Sequence, residues 1–131
     1  MKKTSVPLVI AFTPDYFIPA ATCLYSIITS MQAEGELHVI CLLSEELPER
    51  LKLKIQLIGE GRTCYSFVNL QGKLQHIYID QKYTEAASYR LLLPDLLPEY
   101  KKVIYIDCDI IVRNDLVQLY HSIDLGMNYL A

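Results

Sequence analysis

Two short runs, VPLVIAF (6–12) and LHVICLL (37–43), constrain this chain more than anything else in it. Both are apolar almost throughout and carry β-branched residues. A strand with one wet face alternates apolar and polar residues. An unbroken run implies cover on both faces, as in a parallel sheet packed between helices.

The sequence between the runs supplies those helices. After a TPDY turn, Pro19 suits a first helical turn, and Ala21, Leu24, Ile28 and Met31 recur at helical spacing until Gly35. SEELPERLKLKIQLIGEG reads two ways: Leu51, Leu53, Ile55 and Leu57 alternate like a strand, whereas Leu47, Leu51, Ile55 and Ile58 form a helical stripe. Its length, acidic start and closing Gly59 favour the helix. CYSFVNL (64–70) reads as a third strand and LQHIYI (74–79) as a short one. TEAASYRLLLPDLLPEY (84–100) begins with Thr84 as N-cap and turns helical until Pro94 kinks or ends it. KKVIYIDCDIIV (101–112) supplies one strand or two, and NDLVQLYHSI a short helix capped by Asn114 or Asp115. Strands alternating with helices, without repeat or linker, predict one α/β domain over 1–131 with a mostly parallel sheet.

Composition excludes several classes of function. The apolar fraction of 52% supports a packed core, and a net charge of -3 without any basic block argues against unspecific nucleic-acid binding. The start, MKKTSVPLVIAFTPDYF, imitates a secretory signal, but its apolar run is short and meets Pro14 and Asp15. A buried first strand led by a solvated tip fits better. No run approaches the ~20 apolar residues that span a bilayer. The expected location is the cytoplasm, reaching at most a peripheral place on the inner face of the membrane. Cys23, Cys41, Cys64 and Cys108 are scattered and form no CxxC pair, and His38, His76 and His121 are no better grouped. Structural thiols, without zinc, are the expectation.

Against this background VIYIDCDIIV (103–112) stands out, with Asp107 and Asp109 inside a greasy run. Buried unpaired carboxylates are costly. In extended chain the two would project together while Cys108 points away. A hard divalent cation would offset their repulsion, since Mg²⁺ or Mn²⁺ takes carboxylate and phosphate oxygens. The pair also closes a strand, where open α/β sheets bind ligands. The plainer alternative is that the acids cap a turn or pair with Arg113 or Lys101.

Two further stretches hold candidates. In AFTPDY, Tyr16 could stack on a base while Thr13 and Asp15 bond base or ribose edges, although turn composition alone favours an ordinary β-turn. Arg90 is a lone cation in SYRLLLPDLLP; it could reach a carboxylate or phosphate bidentately, or simply snorkel to solvent.

Taken together, VIAFTPDY, YRLLLPDLLP, KKVIYIDCDIIVRNDL and IDLGMNYLA, in that order, give the chain a resemblance to the amino-terminal part of the family 8 glycosyltransferases. That family includes bacterial lipopolysaccharide glucosyl- and galactosyltransferases and glycogenin. The combination is far more specific than D-x-D alone. The resemblance implies a GT-A fold, a UDP-sugar donor, a glycan or lipid-linked acceptor, and hexose transfer with retention. It implies that Asp107 and Asp109 hold Mn²⁺ (or Mg²⁺) against the diphosphate. By the same likeness Ala11, Phe12, Thr13 and Tyr16 line the uridine site, the backbone at Cys108 approaches the ribose, and Arg90 faces the donor near the acids.

The chain departs from the family pattern at two places. Bacterial relatives often carry an acidic residue where Thr13 stands and Asn or Asp where Asp15 stands, with no proline between. The family's domain also continues past NYLA, into an acceptor-binding half and a late histidine that completes the metal's protein ligands. The expectation is therefore a truncated donor-binding half. Its alternative is a non-catalytic nucleotide-sugar-binding or self-associating module, and the truncated chain is itself expected to self-associate through an exposed apolar edge or face. A nucleotidyltransferase is disfavoured because no glycine-rich phosphate loop follows the first strand.

Overall fold

The computed structural model describes residues 5–32, 34–71 and 93–126. In chain order its elements are β1 (Val6–Phe12), a 3-10 turn (Pro14–Tyr16), α1 (Phe17–Ser30), β2 (Leu37–Leu43), α2 (Glu49–Gln56) and β3 (Thr63–Asn69). There follow a single turn α3 (Leu93–Leu96), β4 (Ile104–Asp107) and α4 (Leu116–Ser122). The predicted strand over 74–79, most of the predicted helix over 84–100 with its Thr84 cap, and the lysine-led tip lie outside the described residues.

The four strands form one sheet in the order β3-β2-β1-β4, and every pairing is parallel. Both unbroken apolar runs became its central strands, with the predicted boundaries. Every residue of β1 is buried. Val6, Leu8, Ile10 and Phe12 join the core on the face that carries α1, while Val9 and Ala11 join a second cluster on the other face. β2 divides likewise, giving Leu37, Val39, Cys41 and Leu43 to the first face and Ile40 and Leu42 to the second. Each large side chain buried this way contributes about 1.5–3 kcal/mol of transfer free energy. The double-sided burial is therefore the main reason these segments are strands at all.

α1 covers the first face with Ala20, Cys23, Leu24 and Ile27. The predicted stripe held in part: Leu24 and Met31 are buried and half-buried Ile28 packs against the same core, whereas Ala21 gives way to Ala20 and Cys23. The small Ala20 and Cys23 let the helix sit close to the sheet, and Leu24 belongs to both stripes because an apolar helix face is broad. α2 settles the ambiguous segment as a helix, with Leu47 and Ile55 buried and Leu53 and Leu57 exposed. After it the chain turns at Gly59, whose φ of +72° is one that residues with a side chain rarely adopt. β3 starts and ends one residue earlier than predicted, at Thr63 and Asn69.

α3 contributes Leu93 and Leu96 to the second face, beside buried Leu97. Pro94 lies inside this single turn. Across the same face His38 ties three segments together, its Nδ1 2.6 Å from Tyr100 Oη and its Nε2 2.7 Å from Ser66 Oγ. α4 begins at the predicted place with Asp115 as its cap, accepting from the Val117 and Gln118 amides. Among the described residues no helix is long and apolar enough to cross a membrane.

Candidate functional site

The strand order determines where a ligand can sit. From β1 the chain moves outward through β2 and β3, then returns to place β4 on the other side of β1. The reversal makes the carboxyl ends of β1 and β4 the switch point of the sheet, the edge at which open α/β sheets bind ligands in a crevice. Asp107 is the last residue of β4 and pairs in register with Ala11 of β1. The AFTPDY turn and the D-x-D motif thus leave adjacent strands at one edge.

β4 stops at Asp107, and Cys108 and Asp109 form a turn. The expectation that the two aspartates share one face of an extended strand is corrected here, because Asp109 lies beyond the strand. The turn still exposes both carboxylates, while Cys108 is half-buried and packs against the core. Among the described residues neither carboxylate has a hydrogen-bond or ion-pair partner, so the expected alternatives of Arg113 and Lys101 are not used. Glu46 offers a contrast. It accepts from Lys52 Nζ at 2.7 Å and Asn69 Nδ2 at 3.2 Å, and the Lys52 contact holds its pKa below the ordinary value.

Of the β1-side candidates, Asp15 and Tyr16 are exposed and Thr13 is half-buried, so all three present surface near the crevice. Ala11 and Phe12 do not offer side chains. Phe12 is 1% exposed within the first core cluster and Ala11 is 7% exposed in the second. Phe12 supports the edge from beneath, and a ligand there would meet backbone only. Arg90 lies outside the described residues.

The residues overlooked in the sequence are on α1. Ser26 Oγ accepts from the Val112 amide at 2.9 Å, and Ser30 Oγ donates to the Val112 carbonyl at 3.0 Å. The Cys23 thiol lies 3.9 Å from the Asp107 carbonyl oxygen. Burial pushes that thiol up to about 11, and nearby Cys108 adds to the rise. Further on, Asp115 accepts from the Gln32 amide at 3.0 Å. A pair of serines four apart beside an apolar stripe was the available signal; ordinary solvated hydroxyls look the same in sequence. A shallow hollow lined by Gln32, Gly35, Asp115 and Val117 contains neither Asp107 nor Asp109.

Two carboxylates suit a hard divalent ion. Among the described residues no group of three or more His, Cys, Asp or Glu side chains comes together to complete a protein cage. Among the described residues the donor set is thus two carboxylates, which fits a hard ion that takes its remaining ligands from elsewhere, a bound phosphate included.

The architecture is that of the GT-A glycosyltransferases. Over 96% of its length the chain superposes on the bifunctional glycosyltransferase WbbM with a TM-score of 0.80 at 23% identity, covering 22% of that chain. On the Q189E mutant of LgtC it reaches 0.73 at 21% identity, over 92% of this chain and 43% of that one. In sequence, residues 7–131 match the glycosyl transferase family 8 model, and the chain belongs to that family. It is 26% identical over 127 residues to glycosyltransferase 8 domain-containing protein 1 of Bos taurus, covering 92% of this chain and 34% of that protein. It is 31% identical over 102 residues to glycosyltransferase GlyE of Streptococcus pneumoniae, covering 70% of this chain and 23% of that protein. The chain thus spans less than half the length of these relatives.

Proposed function

We propose that this chain is the donor-binding half of a metal-dependent glycosyltransferase that moves a hexose from a UDP-sugar, with retention, to a glycan or lipid-linked acceptor. One observation carries the reading. Asp107 and Asp109 stand exposed and without partners among the described residues, at the carboxyl end of β4, where the strand order reverses beside Ala11. An LgtC structure containing donor and acceptor sugar analogues, similar to this chain at a TM-score of 0.68, supports it.

Asp107 and Asp109 would hold Mn²⁺ or Mg²⁺ against the donor diphosphate. When bound, that ion supplies a Lewis acid that stabilises charge on the departing UDP. The protein's own part is positional. The backbone at Cys108 comes close to the ribose, Tyr16 stacks on the base, and Thr13 and Asp15 bond its polar edge. By the family likeness, Arg90 would face the donor near the two acids. Held by these two carboxylates alone, the ion would bind weakly until nucleotide arrives.

The same two-carboxylate donor set also supports a second reading, a module that binds nucleotide sugar without transferring it. Calorimetric titration of UDP with and without Mn²⁺, on the wild-type chain and on Asp109→Ala, tests the donor site. Binding that needs Mn²⁺ and is lost in the variant is expected. Equal binding with and without metal would overturn the metal-site assignment.

A further inference from the structure

We propose that Ser26, assisted by Ser30, is a positioning residue for the Asp107–Asp109 turn; this rests on the donor-site reading above. The turn is anchored on one side by β4, whose Asp107 is in register with Ala11. On its far side residues 110–113 belong to no strand, so their backbone groups lack a ladder. Such groups must find other partners when shielded from water. α1 supplies them at Val112, with Ser26 bonding its amide and Ser30 its carbonyl.

The geometry of Ser26 leaves it little freedom. Its own proton goes to the Cys23 carbonyl at 2.6 Å, which turns an oxygen lone pair toward the Val112 amide. Positions 26 and 30 lie on one face of a helix, one turn apart. Two hydroxyls on that rigid face therefore hold both polar groups of one residue, three places after Asp109. The span between β4 and this clasp sets how far Asp109 stands from Asp107. An ion shared by two carboxylates is sensitive to that separation, and residues that orient ligands commonly contribute 10–100-fold in metal affinity, so a loss of about tenfold is expected here.

The test compares wild type with Ser26→Ala, Ser30→Ala, Ser26→Thr and the control Thr22→Ala, whose hydroxyl bonds to the Ile18 carbonyl of its own helix. Two readouts are taken: hydrogen exchange at the Val112 amide, and UDP affinity with and without Mn²⁺, with bound Mn²⁺ followed by electron paramagnetic resonance. Ser26→Ala should speed exchange at Val112 and lower the Mn²⁺-dependent UDP affinity about tenfold, leaving metal-free affinity unchanged. Ser30→Ala should act in the same direction; Ser26→Thr should restore the wild-type values and Thr22→Ala should keep them. A Ser26→Ala or Ser30→Ala chain with faster exchange but unaltered Mn²⁺-dependent affinity overturns the positioning role alone. A wild-type chain that binds UDP equally with and without Mn²⁺ overturns the donor-site reading, and the positioning role falls with it.

Discussion

Ala11 and Asp107 are partners in register on two parallel strands, one 7% exposed and the other presenting its carboxylate to solvent. One pairing thus joins the floor of the crevice to its candidate metal ligand. The Asp107 side chain is exposed and has no partner among the described residues, so nothing described in the fold calls on its charge. Asp107→Asn should change stability by less than about 0.5 kcal/mol while removing Mn²⁺-dependent UDP binding. Thermal unfolding and calorimetry on the same preparation check both halves of that statement.

Two glycines offer a controlled comparison of backbone and packing effects. Gly59 and Gly61 both have positive φ, at +72° and +87°. A Cβ at Gly59 would lie 2.8 Å from Ile28 Cδ1 and 2.9 Å from Thr63 Cγ2, whereas one at Gly61 would meet nothing within 4 Å. Gly61→Ala should cost about 1 kcal/mol from backbone strain alone. Gly59→Ala should cost about 2 kcal/mol or more, since overpacking adds to the same strain. Urea denaturation of the two variants measures the difference directly.

Asp115 serves two elements. One carboxylate oxygen accepts from the Val117 and Gln118 amides at 2.9 and 3.3 Å, and the other from the Gln32 amide beyond α1. Asp115→Ala should cost about 1–2 kcal/mol, the upper range for loss of a helix cap. Asp115→Asn, which keeps an acceptor for the helix amides, should recover part of that loss in the same unfolding assay.

The buried thiols make the fold sensitive to alkali. Burial raises Cys41 from its ordinary 9.0 to about 12, and Cys23 to about 11. In each case the folded state holds the proton more tightly than the unfolded chain. The corresponding stability is therefore complete below pH 9 and is lost as pH rises toward 11 or 12. Each such group contributes a slope of up to about 1.4 kcal/mol per pH unit in that window. Cys41→Ala should lower stability at neutral pH yet flatten the alkaline decline. Thiol labelling of the native chain should reach exposed Cys64 first and Cys41 last.

Several elements were readable in the sequence because one physical requirement dominated them. β1 and β2 were legible because their runs are short, β-branched and apolar on both faces, and Gly59 marked the end of α2. The share of Ala20 and Cys23 in the buried face of α1 was not readable, since they are favoured by close contact with a sheet that does not yet exist in a linear pattern. The aspartates were conspicuous for their chemistry, but the turn that ends β4 at Asp107 was not. Cys64 was expected to be structural from its apolar neighbours, and its exposure follows from its place on the outer strand of the sheet. Ser26 and Ser30 went unnoticed because their partner is a backbone group more than eighty residues away.

The register that builds the crevice also sets its place in the order of folding. β1 meets β2, and β2 meets β3, across short connections, whereas Leu8 must wait for Ile104 near the other end of the chain. Closing so long a loop is slow, and among the described residues the ladder it gains is four residues long. The expected order is a β1-β2-β3 nucleus first, with β4 docking last and detaching first in native-state opening. Hydrogen exchange should then find the amides of β4 less protected than those of β2. The segment carrying the aspartates would be the last region to acquire its shape and the first to lose it.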